Sequence, residues 1–273
     1  MVDELLRETV FELPGGLSLS DGRRVDRVRL RPLTGHEEDW LAHQTGAPGA
    51  VAVSAILGGC LIHAGDAPAG RDLARRLLAG DRDFLMLQLR RLTLGDRVQA
   101  VLDCPSCSGK IDVEFDAGAV PVEGGSEPPA SEYAAGSRSI RFRLPTGEDQ
   151  EAVAGLPVEQ AADQLLKMCL LDEGAETLSE AERAEVVDEM ERLAPRVELE
   201  LDIHCPECNH EFLAPFDMTA FFFQEIRLKR ERLLREIHTL ALYYHWSESE
   251  ILSLTRPRRR AYLELLSDST RVQ

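Results

Sequence analysis

The sequence is poor in aromatic residues and has no apolar stretch long enough to cross a lipid bilayer. Phe, Trp and Tyr make up 5% of its 273 residues, and a membrane-spanning helix needs about 20 consecutive apolar residues. The first residues are acidic and lack the basic flank and apolar core of a signal peptide, so we expect an unexported, cytoplasmic protein. With 44% hydrophobic and 29% charged residues, the composition is that of a globular chain with a packed core.

Catalytic motifs are missing as well. The sequence contains no Gly-x-Ser-x-Gly, no His-Glu-x-x-His and no glycine-rich phosphate loop, which are patterns typical of hydrolases, metalloproteases and nucleotide-binding proteins. The histidines are scattered and suggest no catalytic constellation. We therefore expect that the protein is not an enzyme.

Basic residues are in deficit, and many of them lie near the C-terminal end. The formal net charge is −17, from 31 Lys and Arg against 48 Asp and Glu. From Arg227 onward there are ten basic and six acidic residues, so this tail carries +4 and the remainder carries −21. An acidic body repels nucleic acid and anionic membranes, and we expect neither as a partner. The basic tail could pair with an acidic partner or with the body of the same chain.

The six cysteines, in contrast, stand at regular places. Four of them form the pairs Cys104-Pro-Ser-Cys107 and Cys205-Pro-Glu-Cys208. Each pair follows an alternating apolar run and precedes a second short run that ends in Phe-Asp. The two pairs are 101 residues apart, and so are the two Phe-Asp dipeptides. The pattern predicts a strand, a cysteine knuckle and a second strand, present twice.

The duplication extends upstream of the knuckles. Val28-Arg-Leu-Arg-Pro-Leu-Thr-Gly35 aligns with Ile140-Arg-Phe-Arg-Leu-Pro-Thr-Gly147 at an offset of 112, and the helical stretches that contain Cys60 and Cys169 align at an offset of 109. In both copies a carboxylate follows Thr-Gly in the spacing of a capping box, which predicts a helix start. Cys60 and Cys169 lie on apolar helix faces and are expected to fill the core. The second copy is shorter by 11 residues, about three helical turns.

These patterns predict an α+β fold. Its duplicated module of short antiparallel strands and helices would surround a zinc-ribbon-like four-cysteine site, and a helical unit would follow. The stretch between the copies is rich in Gly, Pro and Ser, which is typical of a flexible linker. The predicted domains are a first copy at 1–116, a linker at 117–138, a second copy at 139–218 and a C-terminal helical docking module at 219–273.

The two knuckles together offer the ligands of one metal site. Zinc binds four thiolates in a tetrahedron at about 2.3 Å, and Cys-x-x-Cys presents two thiolates from one tight turn. The predicted ligands of one shared Zn2+ are Cys104, Cys107, Cys205 and Cys208. Two alternatives stay open. Each knuckle could bind its own zinc, completed by His204 or His210, or the pairs could be redox-active, although a redox pair normally leads into a helix.

The C-terminal tail belongs to neither copy. The apolar spacing predicts one long helix over 219–245 that ends near Trp246, followed by two shorter helices. Buried Trp and Arg are common anchors of protein contacts. The predicted partner-binding residues are Trp246, Arg258, Arg259 and Arg260. The same arginines could instead belong to a DNA-reading helix-turn-helix, which the acidic charge of the chain disfavours.

Several of these motifs resemble a known family. The strand that ends in Leu-Pro-Thr-Gly-Glu-Asp-Gln, the short helices, and Cys-Pro-Glu-Cys-Asn-His-Glu-Phe before Phe-Asp resemble the baseplate hub assembly-chaperone family of contractile-tailed phages. The opening Glu-Leu-Pro-Gly-Gly and Val-Arg-Leu-Arg-Pro-Leu-Thr-Gly look like the family's N-terminal copy. The tail, from Glu236-Ile-His-Thr-Leu-Ala-Leu-Tyr-Tyr-His-Trp to Arg-Arg-Arg-Ala-Tyr-Leu, looks like a module of phage-like contractile injection systems.

The resemblance implies a non-enzymatic baseplate or hub assembly protein of a contractile tail or injection machine, either a chaperone or a structural component of the particle. Its partner would be the hub, the spike or the tape-measure protein. The competing hypothesis is a zinc-ribbon nucleic-acid-binding or transcription accessory protein.

Overall fold

The computed structural model describes residues 9–19, 23–44, 49–65, 69–124, 132–136, 138–172 and 178–271. Within these residues it contains eleven strands and eleven α-helices. The strands are β1 (Thr9–Ser18), β2 (Arg24–Leu30), β3 (Leu61–Ala64), β4 (Arg97–Asp103), β5 (Lys110–Asp116), β6 (Val122–Glu123), β7 (Tyr133–Ala135), β8 (Ile140–Phe142), β9 (Arg196–Val197), β10 (Glu200–His204) and β11 (Glu211–Pro215). The helices are α1 (Gly35–His43), α2 (Gly49–Cys60), α3 (Arg71–Arg76), α4 (Ala79–Leu94), α5 (Gly147–Val153), α6 (Val158–Cys169), α7 (Glu180–Leu193), α8 (Met218–Leu228), α9 (Arg230–Tyr244), α10 (Glu248–Leu252) and α11 (Arg256–Arg271).

The strands form small antiparallel sheets. β1, β2 and β3 make a three-stranded sheet, and the pairs β4–β5, β6–β9, β7–β8 and β10–β11 each make a two-stranded one. In the largest sheet Val28 lies opposite Phe11 on one side and Ala64 on the other, and its side chain is buried. The predicted α+β class with short antiparallel strands is confirmed.

Both copies follow the same order of elements. The series β1, β2, α1, α2 and the hairpin β4–β5 corresponds to β7, β8, α5, α6 and the hairpin β10–β11, and α4 and α7 stand in equivalent places before the hairpins. The short helix α3 has no counterpart among the described residues of the second copy, where 173–177 lie outside the description. Most of the shortening of the second copy falls in this stretch.

One arginine organises the start of α1. Glu37 closes a capping box with Thr34 by accepting hydrogen bonds from its amide (2.7 Å) and its hydroxyl (2.6 Å). The guanidinium of Arg31 binds the same carboxylate at 2.8 Å. It also donates to the carbonyl of Gly59 at 2.6 Å and lies 3.9 Å from the sulfur of Cys60. Arg31 therefore ties the end of β2, the start of α1 and the end of α2 to one another.

The second copy repeats this Arg–carboxylate clamp, with Asp149 in the place of Glu37. Arg143 binds Asp149 at 2.6 and 2.8 Å, donates to the carbonyl of Met168 at 3.1 Å and lies 4.0 Å from the sulfur of Cys169. Both predicted capping boxes are thus confirmed. Cys60 and Cys169 are buried, as predicted. Burial raises the pKa of the Cys60 thiol to about 12 and that of Cys169 to about 11, so both stay protonated core residues at neutral pH.

The main core lies in the first copy but includes the helix that follows the second. Buried residues of the β1–β2–β3 sheet, α2 and α4 pack together with Phe222, Phe223 and Ile226 of α8. A smaller core surrounds Phe142 in the second copy, and Leu78 of the first copy packs against it. The two copies therefore contact each other through helices as well as through the knuckle hairpins.

The predicted long helix at 219–245 is wrong in one respect, because it is divided at a single residue. Lys229 has φ −93° and ψ 8°, and it separates α8 from α9. α8 packs into the core of the first copy, both α8 and α9 pack on α1, and α9 alone also contacts α10 and α11 extensively. The tertiary contacts of α8 with the core and of α9 with α1, α10 and α11 bend a segment whose local sequence favours a continuous helix.

The range predicted as a linker is structured at both ends. A 3-10 turn at Ala117–Ala119 and strand β6 lie in its first part, and β7 lies near its end. β6 pairs with β9 of the second copy, so its backbone hydrogen bonds are made within the fold. Residues 125–131 lie outside the described residues, and the domain boundaries at 116, 138 and 218 stay a prediction.

The clamp predicts a stability loss on removal of a single charge. We expect Asp149→Asn to lower the free energy of unfolding at pH 7 by about 1–3 kcal/mol, the range for hydrogen bonds to charged groups. The side chain of Asp149 is only 3% exposed. Burial raises the pKa of this carboxyl, but the hydrogen bonds from Arg143 and Thr146 outweigh it and hold the pKa below its usual value.

The sign of the pH dependence follows from this depressed pKa. The carboxylate's contribution is complete above the unfolded pKa, near about 4, and is lost as the pH falls through the folded value. Urea unfolding at a series of pH values from 7 downward should therefore show a gap between wild type and Asp149→Asn that closes in acid. Asp188→Asn, on the exposed side of α7, serves as the matched control. A gap that persists or widens in acid would contradict the clamp.

Candidate metal centre

The two cysteine knuckles lie at the tips of the hairpins β4–β5 and β10–β11 and have the same conformation. The amide of Cys104 donates to the carbonyl of Gly109 at 2.9 Å, and the amide of Cys205 donates to the carbonyl of His210 at 2.9 Å. The residue after each second cysteine, Ser108 or Asn209, has a left-handed φ of 59°. This turn points both sulfur atoms of a knuckle toward one side of the hairpin tip.

The four sulfur atoms converge on one point. The Cys104 and Cys208 sulfurs are 3.7 Å apart, the Cys107 and Cys205 sulfurs are also 3.7 Å apart, and all four lie within 4.8 Å of one another. A disulfide needs about 2.05 Å, so these are separate thiols. A tetrahedron with metal–sulfur bonds of about 2.3 Å has edges of about 3.8 Å. The arrangement therefore fits a single metal ion shared by both copies.

The cluster is buried on one side and open on the other. Cys104 and Cys205 are buried, whereas Cys107 and Cys208 are exposed. The buried pair packs with Ile111 and other apolar residues of the two hairpins. The first cysteine of each knuckle is therefore fixed by apolar packing, and the second is accessible to an incoming ion.

The thiols of the first knuckle have divergent proton affinities. Burial raises the pKa of Cys104, but hydrogen bonds from the amides of Cys107 and Ser106 and from neighbouring thiols outweigh it and lower the pKa to about 7. For Cys107, the amide of Gly109 lowers the pKa, yet hydrogen bonding with Cys208, burial and the other thiols raise it to about 12. The thiol of Cys104 therefore loses its proton readily, whereas the neighbouring thiols oppose loss of the proton from Cys107. A cation is what permits four thiolates at this distance.

The alternative of one zinc per knuckle finds no support in the positions of the nearby histidines. The metal-binding group in the described part of the chain consists of the four cysteines. His204 lies 3.5 Å from the carboxylate of Glu211 across the hairpin, and His210 stacks on Phe212. Each knuckle leads into a strand, β5 or β11, and not into the helix that is typical of a redox pair.

The family of the protein follows from comparison of the whole chain. A family model described as T4 bacteriophage base plate protein matches residues 8–223, which include both knuckles and all of both copies except the first seven residues. The chain belongs to this baseplate family. No curated protein matches the chain, and no solved structure does. The resemblance to a phage baseplate family is thereby confirmed, and the match places the four-cysteine cluster inside the family's range.

The tail of this baseplate protein lies beyond the matched range, since α9, α10 and α11 begin after residue 223. The three helices pack on one another and on α1 of the first copy. None of the helices in the described ranges is long and apolar enough to cross a membrane.

Arg259, one of the predicted partner-binding residues, has its side chain fully buried within the chain, and its role in partner binding stays a prediction. Its guanidinium binds Glu38 of α1 at 2.7 Å and Glu236 of α9 at 3.1 Å. Arg256 binds Glu38 as well, at 3.4 Å. The sequence shows a basic tail and an acidic body but does not show which carboxylate each arginine meets. Glu38, which is 4% exposed, is the residue that sequence reasoning missed.

The other predicted anchors are more accessible. Trp246 is half-buried, stacks on Tyr244 at a ring distance of 4.8 Å and meets the edge of Tyr262 at 4.9 Å. Arg258 is half-buried and Arg260 is exposed. Their role in partner binding stays a prediction.

The geometry of the cluster predicts one divalent metal ion per chain. Metal analysis of the purified protein should find a single equivalent, and Cys107→Ser and Cys205→Ser should each lose it, because three thiolates bind far more weakly than four. Structural zinc contributes on the order of 10–16 kcal/mol of apparent binding energy in small modules. We therefore expect loss of metal to lower the melting temperature of both copies together.

Two matched controls occupy the same turns without being ligands. Ser106→Ala and Glu207→Ala change equivalent exposed positions in the first and second knuckles, and both variants should retain one metal ion. Two metal ions per wild-type chain, or a Cys205→Ser variant that binds metal as tightly as wild type, would contradict a shared site.

Proposed function

We propose that this baseplate-family protein is a non-enzymatic assembly protein whose two copies are joined by a structural zinc ion. The observation that carries the proposal is the family match across both knuckle-bearing copies. The cluster supports a structural role, since four sulfur ligands complete a tetrahedron and leave no open position for a substrate. Thiolate ligands in a tetrahedron favour zinc over the harder cations that prefer oxygen.

The function of the zinc in this proposal is mechanical. It would hold together two hairpins that are about one hundred residues apart in the sequence. β11 runs directly into α8, whose aromatic side chains fill the core of the first copy. The ion would therefore fix the orientation of the second copy relative to the core of the first. A rigid body of this kind suits a protein that must present a defined surface to a larger assembly.

The tail is proposed as the surface that binds a partner. Several large apolar side chains are exposed on or next to it, and a partner that covered them would bury apolar surface. They are Leu228, Leu234, Leu242, Tyr243 and Leu265. Trp246 lies at the junction of α9 and α10, and Arg258 and Arg260 add positive charge nearby. The partner would offer apolar side chains and carboxylates, and we propose the hub, the spike or the tape-measure protein of the same particle.

The nucleic-acid alternative is less well supported. Binding of nucleic acid relies on cations that are free to contact phosphates, and Arg256 and Arg259 are engaged by Glu38 and Glu236 inside the fold. The formal net charge of −17 also opposes it. Absorbance of the purified protein at 260 and 280 nm would show copurified nucleic acid if the alternative held.

The setting that we propose is a contractile tail or a phage-like contractile injection system, because the tail sequence resembles a module of those machines. In this setting a structural component stays in the finished particle, whereas a chaperone leaves after assembly. Mass spectrometry of purified particles, compared with assembly intermediates, separates the two roles.

Partner capture should depend on the apolar side chains of the tail. With the candidate hub, spike and tape-measure proteins coexpressed, we expect Leu242→Asp or Trp246→Ala to weaken capture at least about tenfold, as for a central interface anchor. Arg260→Ala should weaken it by no more than about fivefold, because exposed ion pairs contribute about 0–1 kcal/mol. Affinity measurements on the isolated complexes give these ratios.

Val158→Asp provides the matched surface control, since Val158 is 85% exposed on α6 and lies outside the tail. The variant should capture the partner as wild type does. If Leu242→Asp also binds at the wild-type level while Val158→Asp does not, the docking surface lies on the second copy and the assignment to the tail is wrong.

A further inference from the structure

The tail docks on the first copy through main-chain pairing at the start of α1. The amide of Gly35 donates to the carbonyl of Leu254 at 3.2 Å, and the amide of Arg256 donates to the carbonyl of Leu33 at 3.4 Å. These two bonds bracket an antiparallel bridge between Thr34 and Thr255. We call Leu33, Thr34 and Gly35 the socket and call α10–α11 with its connecting residues the plug.

Gly35 is required for this approach. A Cβ atom at its position would lie 2.8 Å from the Leu252 side chain and 2.9 Å from its Cα. The main chains of socket and plug are therefore too close for any side chain to stand between them. The contact is a specific interlock and not a general apolar patch.

The second copy contains an equivalent socket, and a segment of the first copy fills it. The amide of Gly147 donates to the carbonyl of Leu77 at 3.0 Å, the amide of Ala79 donates to the carbonyl of Pro145 at 2.9 Å, and Thr146 forms the antiparallel bridge with Leu78. The same pattern of bonds thus occurs twice. In both cases the plug belongs to a different unit of the chain from the socket.

The two plugs correspond element by element, although their sequences differ. α3 and α10 begin at residues 71 and 248, and α4 and α11 begin at 79 and 256, so both pairs are 177 residues apart. A buried arginine follows each bridge by four residues, Arg82 in one plug and Arg259 in the other. The tail is therefore attached to the first copy in the way that the first copy is attached to the second.

The tail is joined to the body by a hinge of one residue. Lys229 departs from helical geometry mainly in ψ, which is 8° instead of about −42°. No glycine or proline lies between Met218 and Tyr244, and sharp helix kinks otherwise occur at such residues. At the break the amide of Lys229 bonds to the carbonyl of Ile226 at 3.1 Å, and regular helical bonding resumes at once, with the amide of Leu233 bonded to the carbonyl of Lys229 at 3.1 Å. A straight α8–α9 helix would be about 40 Å long and would carry the plug away from its own socket.

The three helices of the tail form one packed unit, because α9 contacts both α10 and α11. Leu233 and Leu240 of α9 and Ile251 of α10 are buried, and Trp246 stacks on Tyr244 within the tail. The tail contacts the first copy through the packing of α9 and α10 on α1 and through Glu38 with its two arginines. Because breaking a buried ion pair is strongly destabilising, a tail that leaves its own socket must find the same partners in another copy.

We propose that the plug is exchanged between two copies of this chain, so that the tail of each copy fills the socket of the other. The exchange retains all socket contacts and changes only the hinge, which is the condition for domain swapping. It does not depend on the proposed baseplate role or on the metal. The occupant of the socket is in every case α10–α11 of this sequence.

Cross-linking of full-length chains tests the exchange. Thr34 and Thr255 face each other across the bridge, at the position where antiparallel side chains are closest, so cysteines there can form a disulfide. Chains carrying Thr34→Cys and chains carrying Thr255→Cys are mixed at high concentration and oxidised mildly. We expect a covalent dimer with one chain of each kind, identified by mass spectrometry. The double variant at low concentration should close within one chain.

Variants at the hinge add a second, quantitative readout. Lys229→Ala favours the straight helix and Lys229→Gly disfavours it. The equilibrium constant for straightening should differ between these two variants by about fivefold per hinge. The yield of cross-linked dimer should therefore rise in Lys229→Ala and fall in Lys229→Gly. Each single-cysteine variant and the wild type, oxidised alone, control for the exposed thiols Cys107 and Cys208. A mixture that stays monomeric while the double variant closes within one chain would overturn the proposal, and so would equal dimer yields in the mixture and the controls.

Discussion

Main-chain contact at Gly35 and Gly147 is the constraint on which the arrangement of the units depends. At each place a strand ends, a helix begins and the backbone of another unit pairs with the same residues. The Arg–carboxylate clamps hold these residues in position, since Arg31 and Arg143 bind both the helix start and the end of the following helix. A looser backbone would lose the close approach, because hydrogen bonds weaken steeply with distance and angle. The residues that the clamps hold rigid are therefore the same residues on which the distant units dock.

The cysteine cluster adds a second link between the copies at a different place. The socket at Gly147 binds the first copy near the start of the second copy, and the knuckles bind each other near the end of each copy. Two links far apart fix both the position and the orientation of one unit against another, whereas a single link leaves rotation open. The thiols cannot provide this link by themselves. Their apolar setting with Ile111 and Ile203 is small, and neighbouring thiolates repel until a cation compensates their charge.

The sequence was sufficient for the features that repeat with similar residue types. The knuckles, the capping boxes at Thr34 and Thr146 and the buried cysteines were predicted because each has a local pattern with a physical reason. The repeated docking of a plug in a socket was not predicted, because the two plugs share backbone geometry but few side chains. The bend at Lys229 was not predicted for another reason: tertiary packing of α8 and α9 on the first copy overrides a local pattern that favours one helix.

The buried arginines show that composition does not determine which charged residues pair with one another. The tail carries a net charge of +4 and the body −21, which favours attraction between them but does not select the pairs. In the structure Arg259 is buried between Glu38 and Glu236, while Arg260, the next residue, is exposed. Adjacent helix positions point about 100° apart, so one reaches α1 and the other reaches solvent. The tail can therefore be anchored to its own body by one set of arginines while another set, with Trp246, remains available to a partner.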